Sequence, residues 1–545
     1  METRVLLKYA ILAFPLLLLL VFLIFPVSIV IVQGLFAGTS FQDVLSSPVI
    51  QFTIQFTVSQ AVVSTMMAVL IGLPGAFLIA RLRFRGKSIV KAMMIVPFVL
   101  PPIVVVVGFL QMFGPYGVID SILMWIQGSS VSVFNLATGV PGIILAHTFY
   151  NVPLVLLMVS ASLERLNPEI EESAEILGAS SFQRFQRITL PHITPAILAS
   201  AVLTFMFCFM SFPIILAFGQ GTYMTIEAQI WNAFRMFDYG EASSLTLIQI
   251  IITVSLAYIY FKLGRQDGVV GPTASIKTIP FSRYRVLERV LIVGYLLIIA
   301  ILVLGPIATI FRASIFDPIG QRYTLDGFVN LFTWGSQGGL RYFINSLFYA
   351  GLATIFAVVL GIPLAIALRN TGKAIPTLAS AMILLPLGIS SITVAYGLVL
   401  VIAVPTGLVT NPWPIIVVAQ TIIGLPFSAR AIEIAMSKID QTLLEQADSL
   451  GATRIQRLLF VELPLLAPGI LVGGVFAFAM AIGEMSATLF IALPQNYTLA
   501  VAIYDYLAVR AFVNAGAAAL VLVVICVVAF LVMERISEDS TGGTL

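Results

Sequence analysis

Charge is what this chain is short of. Asp, Glu, Lys and Arg together make up 10% of its 545 residues, against about 25% in a soluble domain. Hydrophobic residues fill 60%, and the mean hydropathy is +1.07. That balance excludes a water-soluble globule and makes the bilayer the solvent. A net charge of +3 leaves no electrostatic footprint for nucleic acid. The two cysteines, Cys208 and Cys526, both fall in apolar runs; they read as small buried hydrophobes with no disulfide framework. Two His and two Cys without ligand spacing give no metal site. A catalytic site is not expected either, because G-x-S-x-G and a Ser–His–Asp grouping are both missing. The nearest approach to a phosphate loop, RLRFRGKS, puts Arg81 where the first glycine of G-x-x-x-x-G-K-S belongs, so no nucleotide cofactor is expected on this chain.

What the chain does have is long apolar runs. Twelve are long enough to span as helices: 10–34, 54–80, 88–114, 139–163, 192–216, 242–262, 288–311, 344–368, 376–403, 414–436, 466–491 and 516–534. They far exceed the roughly 10-residue alternating strands of a membrane barrel, and a helix satisfies its own backbone in lipid. The expectation is an all-α, multi-pass membrane protein of twelve transmembrane helices. The first run is too long for a signal peptide and no small-x-small site follows it. With the N-terminus in the cytoplasm, 22 of the 28 Lys and Arg fall on the cytoplasmic side. Five fall outside (Arg235, Arg312, Arg322, Arg341, Arg510), and Arg430 lies within a span. The positive-inside rule therefore places both termini in the cytoplasm.

The chain is also duplicated. Shifted by 273 positions, residues 172–197 match 445–470 at eleven of 26 positions; chance would give roughly two. Upstream, GLPGAFLIARLRFRGK (72–87) is similar to GIPLAIALRNTGK (361–373) at a shift of 289. Each half holds six spans, and six spans return the chain to its starting side, so the repeats are parallel. The expected division is a first half over 1–262, a cytoplasmic linker over 263–287, a second half over 288–535 and a flexible tail over 536–545. The shared polar loop occupies about 164–191 and 437–464 in the two halves.

That loop has a local logic. An acidic, helix-forming segment ends at Gly178 or Gly451, where a left-handed cap is expected. Ser180 or Thr453 then caps a second short helix carrying Arg184 or Arg457, and Pro191 or Pro464 opens the next span. The unit is too short to be stable alone, so its apolar side (Ala174, Leu177, Phe182, Phe185; Ala447, Leu450, Ile455, Leu458) needs a partner surface. Packing against the chain's own helix ends is the bland solution. Two matching copies suggest a twofold partner with two clefts.

The pattern E-x-A-x-x-x-G-A with Pro thirteen residues after the Gly fits Glu172, Ala174, Gly178 and Pro191, and again Glu445, Ala447, Gly451 and Pro464. It resembles the EAA loop of permease subunits in ABC importers. Over nearly its whole length the chain is similar to the fused, twelve-span permeases of thiamine and ferric-iron importers. LAHTFYNVP (145–153) and FMFCFMSFP (205–213) look like the thiamine branch, and GEMSATLF (483–490) like the iron branch. The resemblance implies the type I importer permease fold in the cytoplasmic (inner) membrane. It implies coupling helices that dock into a separate ATP-binding cassette ATPase homodimer, which holds ATP and Mg. It also implies an extracytoplasmic solute-binding protein as second partner, and thiamine, its phosphates or ferric iron as cargo; polyamine, phosphonate and oxyanion are the wider alternatives.

Ionisable and polar groups inside spans are candidates for the substrate path, because each costs about 2.5–3.5 kcal/mol to insert if charged. Glu484 is the clearest, within FAFAMAIGEMSATLF; Ser211 is its first-half counterpart. His147 sits with Tyr150 and Asn151 on the fourth span, and Gln420 matches His147 in the second half. Packing residues are the plain alternative for each. Residues 217–241 and 492–515 read as short helices at the outer mouth. An ion-coupled secondary transporter is the competing class, but it calls for several intramembrane acids, and Glu484 stands alone.

Overall fold

The computed structural model describes the chain except for residues 1–12, 37–40, most of 84–99, 265–278, 319, 321, 336–338, 369–384 and 542–545. The expected linker and the start of the ninth run therefore lie largely outside the described residues. Eleven described helices are long and apolar enough to cross a membrane. Where the run 376–403 was expected to span, a shorter apolar helix runs over Ser391–Thr406 among the described residues.

In the first repeat the principal helices are α1 (Ala13–Phe36), α2 (Pro48–Arg81), α3 (Pro102–Phe113), α4 (Val118–Gln127), α5 (Gly139–Leu163), α6 (Pro168–Ile176), α7 (Ser181–Arg184), α8 (Leu190–Phe209), α9 (Pro213–Phe218), α10 (Ile226–Arg235) and α11 (Tyr239–Gly264). The second repeat follows with α12 (Val286–Ile315), α13 (Leu340–Leu368), α14 (Ser391–Leu398), α15 (Trp413–Ser437), α16 (Gln441–Ser449), α17 (Arg454–Arg457), α18 (Leu463–Ile482), α19 (Ser486–Ile491), α20 (Leu499–Ala508) and α21 (Phe512–Thr541). From Ser181 to Arg235 every helix start and end recurs 273 residues later.

Two expected spans are not continuous. The run 192–216 breaks between α8 and α9, and 466–491 breaks at the matching place between α18 and α19. In the first repeat Pro213 has no N–H to continue the ladder. In the second, Gly483 ends α18 and the Glu484 side chain restarts the backbone, as described below.

The chain forms two compact units. One comprises Met1–Gly38 with Leu325–Leu545, the other Thr39–Thr324. The leading helix of each sequence half thus belongs to the unit built mainly from the other half. Glycine permits both packings. A Cβ on Gly397 of α14 would lie 3.0 Å from the Pro26 Cβ of α1. A Cβ on Gly108 of α3 would lie 2.3 Å from the Pro306 carbonyl oxygen of α12. Gly108 and Gly397 are 289 positions apart, the upstream repeat shift. Thr309 of α12 seals the second contact by donating to the Gly108 carbonyl at 2.8 Å.

Candidate functional site

The two elbows share one backbone and capping pattern. Asn167 caps α6 by accepting from the Glu169 N–H at 3.0 Å; Asp440 caps α16 by accepting from the Thr442 N–H at 2.9 Å. α6 ends with Gly178 at φ +86° and α16 with Gly451 at φ +83°, the left-handed region that glycine enters without strain. Gly178 and Ala179 donate to the carbonyls of Glu175 and Ala174 at 2.9 Å each. Gly451 and Ala452 repeat this to Asp448 and Ala447 at 3.1 Å. This paired 5→2 and 6→1 pattern is the Schellman motif. A capping box follows in each copy, between Ser180 and Gln183 and between Thr453 and Gln456.

Arg184 reaches back over the glycine turn to Glu175 at 2.6 Å, and Arg457 to Asp448 at 2.5 Å. The acid partners escaped sequence reading, although Glu175 and Asp448 are themselves 273 apart and each precedes its arginine by nine residues. A π-helical turn then joins each elbow to its span, over Phe185–Thr189 and Leu458–Glu462. Pro191 and Pro464 sit in the first turn of α8 and α18. Glu172 and Glu445 are exposed, and Ala174 and Ala447 are half-buried.

Several large apolar side chains of both elbows lack cover. Leu177 is 87% exposed and Leu450 89%; Ile176, Phe182 and Ile455 are also exposed. The elbows differ in one respect. Glu171 of α6 accepts from Thr189 Oγ1 at 2.6 Å and pairs with Arg81 at 2.5 Å. Partial burial pushes the Glu171 carboxyl up, but the Thr189 hydroxyl and the Arg81 guanidinium outweigh it and hold it below the usual carboxylate range. In the second copy the matching residues are Leu444 and Glu462, and Glu462 instead accepts from Arg457 Nε at 2.9 Å.

The polar candidates of the spans fall in both units. In the unit containing residues 39–324, His147 Nδ1 lies 3.4 Å from Ser64 Oγ. Asn151 donates to the His147 carbonyl at 2.8 Å and to Cys208 Sγ at 3.4 Å. Tyr150, half-buried, stacks edge-on against Phe149. Ser211 is buried in the α8–α9 break. In the other unit Glu484 stands not in mid-span but in the α18–α19 break. Its Oε1 accepts from the Ala487 N–H at 2.8 Å, and its Oε2 from the Thr488 N–H and hydroxyl at 2.9 Å. Gln420 in turn donates to Thr488 Oγ1 at 3.3 Å. Thr488, which no sequence signal marked, thus links the candidates Gln420 and Glu484. His147 Nε2 and Gln420 Oε1, at matching repeat positions, are both buried without a hydrogen-bond partner among the described residues. Arg430, read as an intraspan cation, pairs with Glu433 at 2.6 Å.

Duplicated elbows, each joining two membrane-length helices at the same point of its repeat, define a two-repeat transport permease. The chain belongs to the family of binding-protein-dependent transport system inner membrane components, whose model matches it twice, at residues 68–265 and 326–539. It is a multi-pass inner-membrane transport subunit rather than an enzyme. It is 26% identical over 494 residues to a putative ferric transport system permease protein, FbpB 1, of Haemophilus influenzae, covering 87% of this chain and 76% of that one. It is 25% identical over 494 residues to the thiamine transport system permease protein ThiP of Escherichia coli, covering 89% and 88%. A solved bacterial ABC transporter involved in alginate import matches 49% of this chain and 98% of its own, at 20% identity and a TM-score of 0.42.

Proposed function

We propose that this chain forms the translocation path of an ATP-driven importer for thiamine, its phosphates or ferric iron. The two repeats, 1–262 and 288–535, work as a pair joined by a cytoplasmic linker. Both termini and both elbows face the cytoplasm, where the elbows dock in the clefts of a separate ATPase homodimer that holds ATP and Mg. An extracytoplasmic binding protein delivers the solute. The names of the relatives support the two cargo classes.

The observation that carries this reading is the pair of bare apolar elbows. Fully burying a Leu, Ile or Phe side chain is worth about 1.5–3 kcal/mol, so Leu177, Phe182, Leu450 and Ile455 left in water forgo several such increments. A rigid elbow with matching apolar tips at two repeat-related points suits a twofold partner. Within the spans, His147 Nε2 and Gln420 Oε1 each support a role for their own polar site in translocation, because unpaired buried polar atoms are uncommon and call for an explanation. Glu484, Gln420, His147, Tyr150, Asn151 and Ser211 are assigned to the translocation path.

The test is co-purification. Leu177→Asp together with Leu450→Asp should abolish recovery of the ATPase with this chain while membrane insertion persists. Uptake that continues in cells lacking every ATPase partner would end the proposal. The ligand carried by the neighbouring binding protein decides between thiamine and iron.

A further inference from the structure

We infer that Arg81, Glu171 and Thr189 are positioning residues that latch the first elbow onto the end of α2, and that α2 transmits the elbow's movement to α10. The inference rests on the docking role proposed for the elbows.

The latch is a three-way polar contact between elements far apart in sequence. Arg81 is the last residue of α2. Its guanidinium pairs with Glu171 at 2.5 Å and lies 3.5 Å from Thr189 Oγ1. The Thr189 hydroxyl closes the triangle on Glu171 at 2.6 Å. Two further contacts fix the same place. Phe77 of α2 meets Phe185 of the elbow's π turn with ring centroids 5.9 Å apart. Just beyond Arg81, Leu82 and Arg83 pair in parallel with Ile279 and Pro280, so the described end of the linker segment is fastened beside the latch.

α2 is built to carry a displacement. It runs unbroken for 34 residues, about 51 Å at 1.5 Å per residue. Toward its other end Gln60 donates to the Cys208 carbonyl at 2.9 Å, and Thr57 Oγ1 accepts the first N–H of α10, that of Ile226, at 3.0 Å. One helix is thus bonded at one end to the elbow and at the other to α10. The weak turn at Pro74 is braced by Tyr295, whose hydroxyl donates to the Ile71 carbonyl at 2.7 Å.

The second elbow has different chemistry at these positions. Leu444 replaces Glu171 and is buried. Glu462 replaces Thr189 and is taken by Arg457 within its own elbow. The two elbows therefore differ at these positions, and a stroke on the first reaches α10 through a charged pair.

The experiment uses the assembled transporter, chain plus ATPase, with Met236→Cys at the exposed end of α10 carrying a nitroxide; the native Cys208 and Cys526 are buried. The readout is the change in the nitroxide spectrum on trapping with ATP and vanadate. Arg81→Glu and Glu171→Arg should each cut that change at least fivefold while the ATPase still co-purifies, and the double reversal should restore at least half of it. Glu171→Gln, nearly isosteric, keeps the result interpretable if a reversal fails to fold, and should also cut the change. A response within twofold of the unaltered latch in Glu171→Gln and the single reversals would overturn the inference, as would an unresponsive nitroxide in the intact latch. Failure of the ATPase to co-purify with the native latch would instead overturn the docking role itself.

Discussion

Two residues show how little sequence is needed to set a local geometry. Gly178 and Gly451 hold φ at +86° and +83°, and a Cβ on either would meet nothing within 4 Å. Space is not the constraint there; backbone conformation is. A non-glycine residue in that region costs roughly 1–2 kcal/mol, so Gly178→Val or Gly451→Val should weaken elbow docking by about tenfold each, measured as ATPase affinity of the solubilised complex. Alanine should do less harm than valine at both positions. Glu484 is a different case. Its charge was legible as an anomaly in an apolar run, but its surroundings were not, because the bonds that hold it come from a helix start that hydropathy does not mark. Glu484→Gln turns an amide NH2 toward backbone N–H groups, and an unsatisfied buried donor costs about 1–3 kcal/mol. The melting temperature of the complex should fall, and uptake of a cationic solute should fall with it. Lower stability with unchanged uptake would leave Glu484 as a helix cap alone.

At the scale of elements, the π turns over Phe185–Thr189 and Leu458–Glu462 are the point where each elbow is aimed. Each inserts one residue beyond the α-helical count, which turns everything before it by about 100° relative to the span that follows. Deleting Ile188 should restore a plain α-helix and rotate the first elbow off its socket. The expected result is loss of ATPase co-purification with the helical content of the chain unchanged by circular dichroism. Retained co-purification would mean that the elbow tolerates any azimuth. The two short helices, their caps and the glycine turn are legible in the sequence, because all of these are set by neighbours within five residues. The π turns are not, since nothing in Phe-Gln-Arg-Ile-Thr or Leu-Leu-Phe-Val-Glu differs from ordinary helix-forming sequence.

At the scale of the molecule, the exchange of leading helices ties the repeats together. α1 belongs with residues 325–545 and α12 with the unit of residues 39–324. A polypeptide of residues 1–270 would lack the helix that packs on α3, and one of 271–545 the helix that packs on α14. Neither should fold alone, whereas the two co-expressed should assemble and be recovered through a tag on either. Independent folding of the 1–270 fragment would show the exchange to be dispensable.

The sequence by itself determined the solvent, the helical class, the duplication and the backbone of the elbows. Each of these follows from composition or from interactions a few residues long. Only the tertiary structure decided which leading helix joins which unit, that Thr488 joins Gln420 to Glu484, and that Arg81 holds Glu171. A membrane helix that is apolar on every side carries no moment to say which face meets protein, since lipid is as apolar as leucine. Partners 90 residues apart, as Arg81 and Glu171 are, meet only because the intervening helices have already packed.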